Sequence, residues 1–213
     1  MVISLGIIYS KIFNVDVPNF MPYLSVGLLI WGFVNSILSE AGTLFIGVES
    51  YIKQVRLPFS VYIFRFIWCR LIIFAHNFLV YLAVIVYFNI NPGLTAFIAV
   101  LGLFFLTLNG ILVSLYLGMI SARFRDIPQI VASGTQIVFF LTPIMWKPEF
   151  LGSSSLVIRL NPFFHLIEIV RGPLLGYLPS LENWIAVIAI TGANAAFASV
   201  FFPKYRSRIP YWV

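Results

Sequence analysis

LTAFIAVLGLFFLTLNGILVSLYLGMI, residues 94–120, runs for 27 residues without a charged side chain. About 20 predominantly apolar residues cross the ~30 Å hydrocarbon core of a bilayer as a helix. The run lacks the short alternating pattern of a transmembrane β-strand. It therefore predicts a membrane-spanning α-helix.

The composition of the whole chain agrees with this stretch. The 213 residues are 61% hydrophobic and 9% charged, with a mean hydropathy of +1.01, whereas a soluble domain carries about 25% charged residues. The sequence thus predicts an all-α, polytopic membrane protein with one domain over residues 1–213. Its single cysteine, Cys69, excludes an intramolecular disulfide and a cysteine metal cluster.

Other apolar runs are long enough to cross the membrane, and they cover residues 22–38, 71–88, 130–146 and 184–202. Residues 1–13 are apolar but too short. We therefore expect five full spans plus a partial first one, in a chain whose start lies inside that first span. The complete version would have six spans.

Lysine and arginine set the predicted orientation, because cytoplasmic loops carry their excess. Assigned to alternate loops, nine of the 13 fall on one side: Lys53, Arg56, Arg65, Arg70, Arg123, Arg125, Lys204, Arg206 and Arg208. The net charge of +6 is thus explained by topology and does not indicate nucleic-acid binding. We expect residues 49–58 and the C-terminus to face the cytosol.

Residues 49–58, ESYIKQVRLP, form a polar island between two apolar runs. Glu49 and Lys53 have the i, i+4 spacing of a helical ion pair, and Pro58 ends any helix at or before Leu57. A charged helix between two spans predicts a partner protein. The turn with Arg123, Arg125 and Asp126 is either a second contact for that partner or a positive anchor.

The outer segment 147–183 contains two apolar pieces, 155–160 and 163–175, that are too short to cross. Asn161 followed by Pro162 is a typical helix start. Short apolar helices of this kind predict re-entrant outer helices between the last two spans, sheltered by protein or a cavity. His165, Glu168 and Arg171 share one helical face, as an outer polar gate or as a surface ion pair.

Uncharged polar residues inside the spans suggest helix packing. We expect interhelical hydrogen bonds from His76, Asn77, Asn109, Gln136 and Asn194, and an interfacial position for Glu40. Small residues make one face of the last span, which suggests close contact within the subunit or across a dimer: Ala189, Gly192, Ala193 and Ala196. Aromatic side chains that could line a glycan pathway are Tyr9, Phe13, Phe139, Phe140, Phe163 and Phe164.

Five segments, in order and with this topology, resemble the permease subunits of type-two ABC exporters. They are residues 49–58, the turn SARFRDIPQ at 121–129, FLTPI at 140–144, LNPF at 160–163 and RIPYW at 208–212. The branch that exports lipid-linked O-antigen, capsule or teichoic acid polymers is the most similar. One departure is the N-terminus, since family members usually begin with an amphipathic helix and a full first span.

The resemblance implies a homodimer in a bacterial inner membrane that binds two copies of a separate ATPase, which holds ATP and Mg. It also implies a coupling helix seated on that ATPase, made of Glu49, Ser50, Tyr51, Ile52, Lys53, Gln54, Val55 and Arg56. The short outer helices would be gate helices. The cargo would be a lipid-linked glycan, whose identity the sequence does not specify.

Two other classes of protein are less consistent with the residues. A carrier driven by ion gradients would have carboxylates near the middle of its spans, and none is found there. A glycolipid enzyme would need converging acids or a nucleophile with its base, and no phosphate-binding loop or hydrolase motif occurs. The sequence therefore predicts a transporter subunit, with an ABC exporter of a drug or lipid as a further alternative.

Overall fold

The helices of the computed structural model form one bundle. The structure describes residues 2–55, 57–151 and 156–213, except the side chains of Ile3 and Leu151. The helices are α1 (Val2–Ile12), α2 (Val17–Ala41), α3 (Glu49–Gln54), α4 (Phe59–Tyr87), α5 (Ala96–Arg123), α6 (Ile127–Leu141), α7 (Leu156–Arg159), α8 (Pro162–Leu174), α9 (Leu181–Tyr205) and α10 (Ile209–Trp212).

Among the residues that the structure describes, four segments are long and apolar enough to cross a membrane. They are Val17–Ala41, Phe59–Tyr87, Gly93–Arg123 and Leu181–Trp212, with mean hydropathies between 1.5 and 2.4. They correspond to α2, α4, α5 with the turn before it, and α9 with the tail after it. The prediction of a polytopic helical membrane protein is confirmed.

The run at 130–146 forms a shorter helix than expected. Helix α6 has 15 residues, which is about 22 Å at 1.5 Å per residue and less than the hydrocarbon thickness. It ends because Thr142, which precedes Pro143, is extended at φ −89° and ψ 134°, as proline favours in the residue before it. The chain therefore leaves the helical conformation at Thr142, which is buried inside the bundle.

An ion pair fixes the register of α2 against α4. Helix α4 begins 12 residues before the apolar run at 71–88 and so carries Arg70 in its N-terminal half. The guanidinium of Arg70 donates to the Glu40 carboxylate at 2.5 Å. The carboxylate expected at the interface is therefore paired with the next span.

Helix α8 lies inside the bundle, where it contacts α2, α5 and α9. Its residues 165–174 are all buried, as expected of a re-entrant helix sheltered by protein. Close approach to α5 requires a glycine, because a Cβ on Gly102 would lie 2.5 Å from the carbonyl oxygen of Ile169. The Asn161 side chain caps α8 by accepting from the backbone N–H groups of Phe163 and Phe164, which confirms the predicted helix start.

Amides join α5 to α9 in the middle of the bundle. The Asn109 amide donates to the Thr191 hydroxyl at 2.8 Å, and the Asn194 amide donates to the Asn109 oxygen at 2.8 Å. Both asparagines thus have the packing role expected from the sequence. By contrast, the small-residue face around Gly192 is exposed, with nothing within 4 Å of a Cβ built there, so it does not pack within the subunit.

We expect the Asn109–Asn194 hydrogen bond to contribute about 0.6–1.7 kcal/mol, the range measured for interhelical hydrogen bonds in membranes. A double-mutant cycle with Asn109→Leu and Asn194→Leu, followed by denaturant unfolding in detergent micelles, measures this coupling free energy. Strictly additive effects of the two substitutions would contradict the bond.

Candidate functional site

The polar island folds as the short helix α3 after a 3₁₀ turn at Ile46–Val48. The Lys53 ammonium donates to the Glu49 carboxylate at 2.5 Å, as the i, i+4 spacing predicts. This hydrogen bond and the lysine charge lower the pKa of Glu49 below its ordinary value, so the carboxylate stays ionised near neutral pH. Both side chains are nearly half exposed, and the pair adds little stability.

Burial of one residue holds α3 in place, since a helix this short is not stable alone. Ile52 is 8% exposed and belongs to the same apolar core as Ile209 and Val213, and α3 contacts α10. Other side chains of this segment are exposed, with Tyr51 63% and Val55 48% exposed. The helix thus exposes an aromatic ring and two charged side chains, Glu49 and Lys53, while Ile52 holds it against the bundle.

The turn between α5 and α6 lies against the C-terminal helix at the same end of the bundle. The Arg123 guanidinium is 5.5 Å from the centre of the Trp212 ring, and Arg125 donates to the Trp212 carbonyl at 3.4 Å. Asp126 is the residue before α6. The structure therefore gathers α3, this turn and α10 into one surface, which we call the basic end. Arg56 lies outside the described residues.

A buried ion pair occupies α8 near the other end. Arg171 is fully buried and Glu168 is 8% exposed. The Arg171 Nε donates to Glu168 Oε2 at 2.9 Å, and Tyr177 donates its hydroxyl hydrogen to Glu168 Oε1 at 2.7 Å. Burial raises the pKa of Tyr177, and the Glu168 charge raises it further, so the phenol remains a donor. The alternative of a surface ion pair is wrong.

The pair is also linked to α2 and to the end of α6. Arg171 Nη1 donates to the Pro143 carbonyl at 2.8 Å, and the Tyr23 hydroxyl donates to the same oxygen at 2.9 Å. The guanidinium lies 4.0 Å from the centre of the Tyr23 ring. We call Tyr23, Pro143, Glu168, Arg171 and Tyr177 the buried network. It joins α8 to the segment that follows α6.

His165 is not part of the buried network, although it shares a helical face with Glu168. Its imidazole is hydrogen-bonded to Asn183 at 2.8 Å and to the Arg159 carbonyl at 2.9 Å. The expected trio is therefore split into an ion pair and a separate histidine that ties α8 to α9. Tyr23 and Tyr177 carry no local sequence signal of their role, because the Pro143 partner of Tyr23 is distant in sequence and the Glu168 partner of Tyr177 lies beyond a turn.

A groove of about 570 Å³ runs between α1, α2, α4 and α6. Asn77 and Gln136 line it and are exposed. Within the described residues neither side chain hydrogen-bonds another protein group, so the expected interhelical hydrogen bonds of Asn77 and Gln136 are not formed. The same holds for His76, which is exposed on α4. Of the five polar residues expected to bond between helices, Asn109 and Asn194 do so. Within the described residues His76, Asn77 and Gln136 do not.

The aromatic candidates separate into distinct places. Phe139 lines the groove, with its ring 5.6 Å from that of Trp31. Phe163 packs on the other side of Trp31 at 5.9 Å. Tyr9 and Phe13 stack on each other at 5.7 Å, away from α6. Phe140 is 63% exposed, and Phe164 lies against His165: these two candidates are not part of the groove lining.

Comparison with known proteins agrees with this architecture. Residues 1–175 match the model of the ABC-2 type transporter family. Two proteins of Klebsiella pneumoniae, both named O-antigen export system permease protein RfbA, are 24% identical over 194 residues and 25% identical over 191 residues. Each alignment covers 87% of this chain and 72% of the relative.

Members of this family are the membrane subunits of ABC transporters, and ATP hydrolysis takes place on a separate subunit. The match extends from α1 to the end of α8, and so includes the polar island, the groove and every residue of the buried network except Tyr177. The chain therefore belongs to the ABC-2 type transporter family and is a multi-pass permease subunit that works with an ABC ATPase.

Proposed function

We propose that this permease exports a lipid-linked polysaccharide of the O-antigen, capsule or teichoic acid type across the bacterial inner membrane. The observation that carries the proposal is the exposed helix α3, which is charged, fixed by Ile52 and placed between two spans. It is supported by the similarity to O-antigen export permeases over 87% of the chain. The basic end faces the cytosol in this proposal, because the loops assigned to its side of the membrane carry nine of the 13 lysines and arginines.

Helix α3 is the coupling helix of the proposed transporter, and residues 49–56 seat on the ATPase. A second contact with the ATPase is provided by Arg123, Arg125 and Asp126. Their loop lies beside α10, and α10 contacts α3. Through this contact, a movement of the ATPase would be transmitted directly to α5 and α6. ATP and Mg belong to the partner subunit.

The translocation path lies between two copies of this chain. The groove supports this, because aromatic and carboxamide side chains of α2, α4 and α6 line it. Phe139 is the aromatic candidate that we retain for the lining. At the outer end, Glu168 and Arg171 act as the gate through the buried network. His165 acts there only as an anchor to α9.

Surface polysaccharide in the native host tests this function. A strain without this chain should lose the polymer from its surface and accumulate it inside, and the wild-type chain should restore export. Lys53→Glu or Glu49→Lys should fail to restore it, because reversed charge prevents seating on the ATPase, while the amount of inserted permease is unchanged. Unaltered surface polymer in the deletion strain would refute polysaccharide export, and full activity of both variants would refute the coupling role.

A further inference from the structure

We propose that a cleft between α4 and α5 binds an anionic phospholipid of the bilayer, with its head group on Arg65 and an acyl chain along α4. The cleft has an inner part of about 430 Å³, towards the basic end, and an outer part of about 310 Å³. Phe74, Phe78 and Leu103 line both parts, so the two form one continuous space. The site is separate from the groove and from the path proposed for the glycan.

The walls of the cleft suit hydrocarbon. Every residue that lines the inner part is apolar or aromatic, from Trp68 to Phe78 on α4 with Leu103 on α5. The side chains of the whole lining carry two polar atoms, the Trp68 indole nitrogen and the Tyr81 hydroxyl. The hydroxyl already donates to the Leu174 carbonyl at 2.7 Å. An acyl chain is therefore the part of a lipid that fits this lining, because its burial removes apolar surface from an open space.

Arg65 continues the cleft towards the basic end. It precedes Ile72, which lines the cleft, by seven residues, and residues seven apart share one side of a helix. Trp68 lies between them and is 65% exposed, as is typical of tryptophan at a membrane interface. From residue 71 to its end at Tyr87, α4 contains no acid, lysine or arginine. The edge of the hydrocarbon therefore falls near residues 65–70, where lipid phosphates lie within reach of Arg65.

The Arg65 guanidinium is available to a phosphate. The side chain is exposed, and among the described residues it forms no ion pair. Arg70, five residues further along the helix, is paired with Glu40. A guanidinium binds phosphate oxygens through two parallel N–H groups. Because no carboxylate of the described residues takes this place, charge complementarity favours an anionic head group.

The cleft opens on the side of α4 away from the N-terminal helix. Val2 of α1 lines the groove together with Asn77 and Val80 of α4. Ala75 lines the cleft, and Asn77 lies about 200° further around the helix, since each residue turns it by about 100°. The two faces of α4 therefore border different spaces, and α1 forms no wall of the cleft.

The outer part of the cleft reaches the helix that carries the buried network. Val170 and Leu174 of α8 line it, next to the Tyr81 hydroxyl that bonds the Leu174 carbonyl. An acyl chain that fills this part packs against α8 and adds contacts where the protein leaves a space. A lipid in the cleft therefore stabilises α8 in its position.

Removal of the charge tests the head-group site. Arg65→Gln should weaken binding of phosphatidylglycerol about fivefold, because one arginine near the membrane surface contributes about this much to the attraction of anionic lipid. Native mass spectrometry of the permease with its ATPase, titrated with phosphatidylglycerol in detergent micelles, measures the bound lipid. Arg206→Gln is the matched control, since Arg206 is also exposed, just before α10, and lies outside the cleft. Unchanged binding by Arg65→Gln, or an equal loss in both variants, would overturn the site.

A larger side chain in the cleft tests the acyl-chain site without a change of charge. Ala75 is exposed in the cleft wall, so Ala75→Phe should fold normally and occupy the space of the chain. Ile73→Phe is the control, because Ile73 is 47% exposed on α4 and does not line the cleft. We expect at least a fivefold loss of bound phosphatidylglycerol for Ala75→Phe alone. Equal binding by both variants would show that the chain lies elsewhere.

Two further measurements separate this lipid from other occupants. A polyprenyl phosphate titrated in the same way should bind less tightly than phosphatidylglycerol, and tighter binding would overturn the proposal by assigning the cleft to the lipid carrier of the cargo. Ile72→Cys in a Cys69→Ser background should form no disulfide-linked permease dimer in membranes. Such a dimer would also overturn the proposal, because a second copy would then cover the cleft. None of these readouts requires export, so they are independent of the proposed function.

Discussion

Replacing Arg171 with methionine is expected to destabilise the protein by about 3–5 kcal/mol, because it leaves a buried carboxylate without its cation. Arg171 is fully buried, and Glu168 is 8% exposed. The substitution also removes the bond from Arg171 to the Pro143 carbonyl. Denaturant titration in detergent micelles measures the loss in free energy of unfolding.

The exposed pair Arg159–Glu182 is the matched control. Its two side chains are 54% and 63% exposed, and their N–O distance is 2.7 Å. Arg159→Met should therefore lower the free energy of unfolding by less than about 1 kcal/mol. Glu168→Gln combined with Arg171→Met should recover much of the stability, because no charge is then left buried. Equal effects of Arg171→Met and Arg159→Met would show that burial does not govern the pair.

The same double variant tests the gate. It removes the charge pair and the Arg171 bond to Pro143, so the link from α8 to the end of α6 is reduced to the Asn161 bonds to Leu141 and Thr142. We expect altered ion leak or polymer flux through the assembled transporter at near-normal stability. Conductance indistinguishable from that of the wild type would demote the buried network to a structural role.

Replacing Tyr51 with alanine is expected to weaken binding of the ATPase by about 30-fold or more, since a tyrosine anchor at an interface contributes about 2 kcal/mol or more. The stability of the permease itself should be unchanged, because the side chain is 63% exposed. Titration of purified ATPase onto permease in nanodiscs measures the dissociation constant.

Tyr87 provides the control for this experiment. It is 83% exposed at the end of α4 opposite to α3, so Tyr87→Ala should bind the ATPase as the wild type does. Loss of binding in both variants would indicate general damage. Unchanged affinity of Tyr51→Ala would place the ATPase contact elsewhere on the basic end.

Local patterns account for the features that the sequence predicted well. The 27-residue run at 94–120 became α5, and the four-residue spacing of Glu49 and Lys53 became an ion pair on α3. Asn161 capped α8 because capping needs only groups two and three residues away. Hydropathy predicted five full spans, whereas the described residues contain four long ones, because Thr142 and Pro143 end α6 after 15 residues.

Polar residues in the spans show where local pattern stops being informative. Asn109 and Gln136 are alike in the sequence, as uncharged amides in apolar runs. The first is bonded to Asn194 and Thr191, whereas the second faces the groove. The difference depends on which helix lies opposite, and this is a property of packing alone.

The sequence by itself determined the helices, their membrane character and the exposed charged segment, because apolar run length and short-range spacing act within a few turns of one chain. Only the tertiary structure decided that Arg171 is buried, that its guanidinium meets Tyr23 and the Pro143 carbonyl, and that three carboxamides share one groove. Those contacts join residues up to 148 positions apart. Their formation depends on which helix faces pack together, which no single segment encodes.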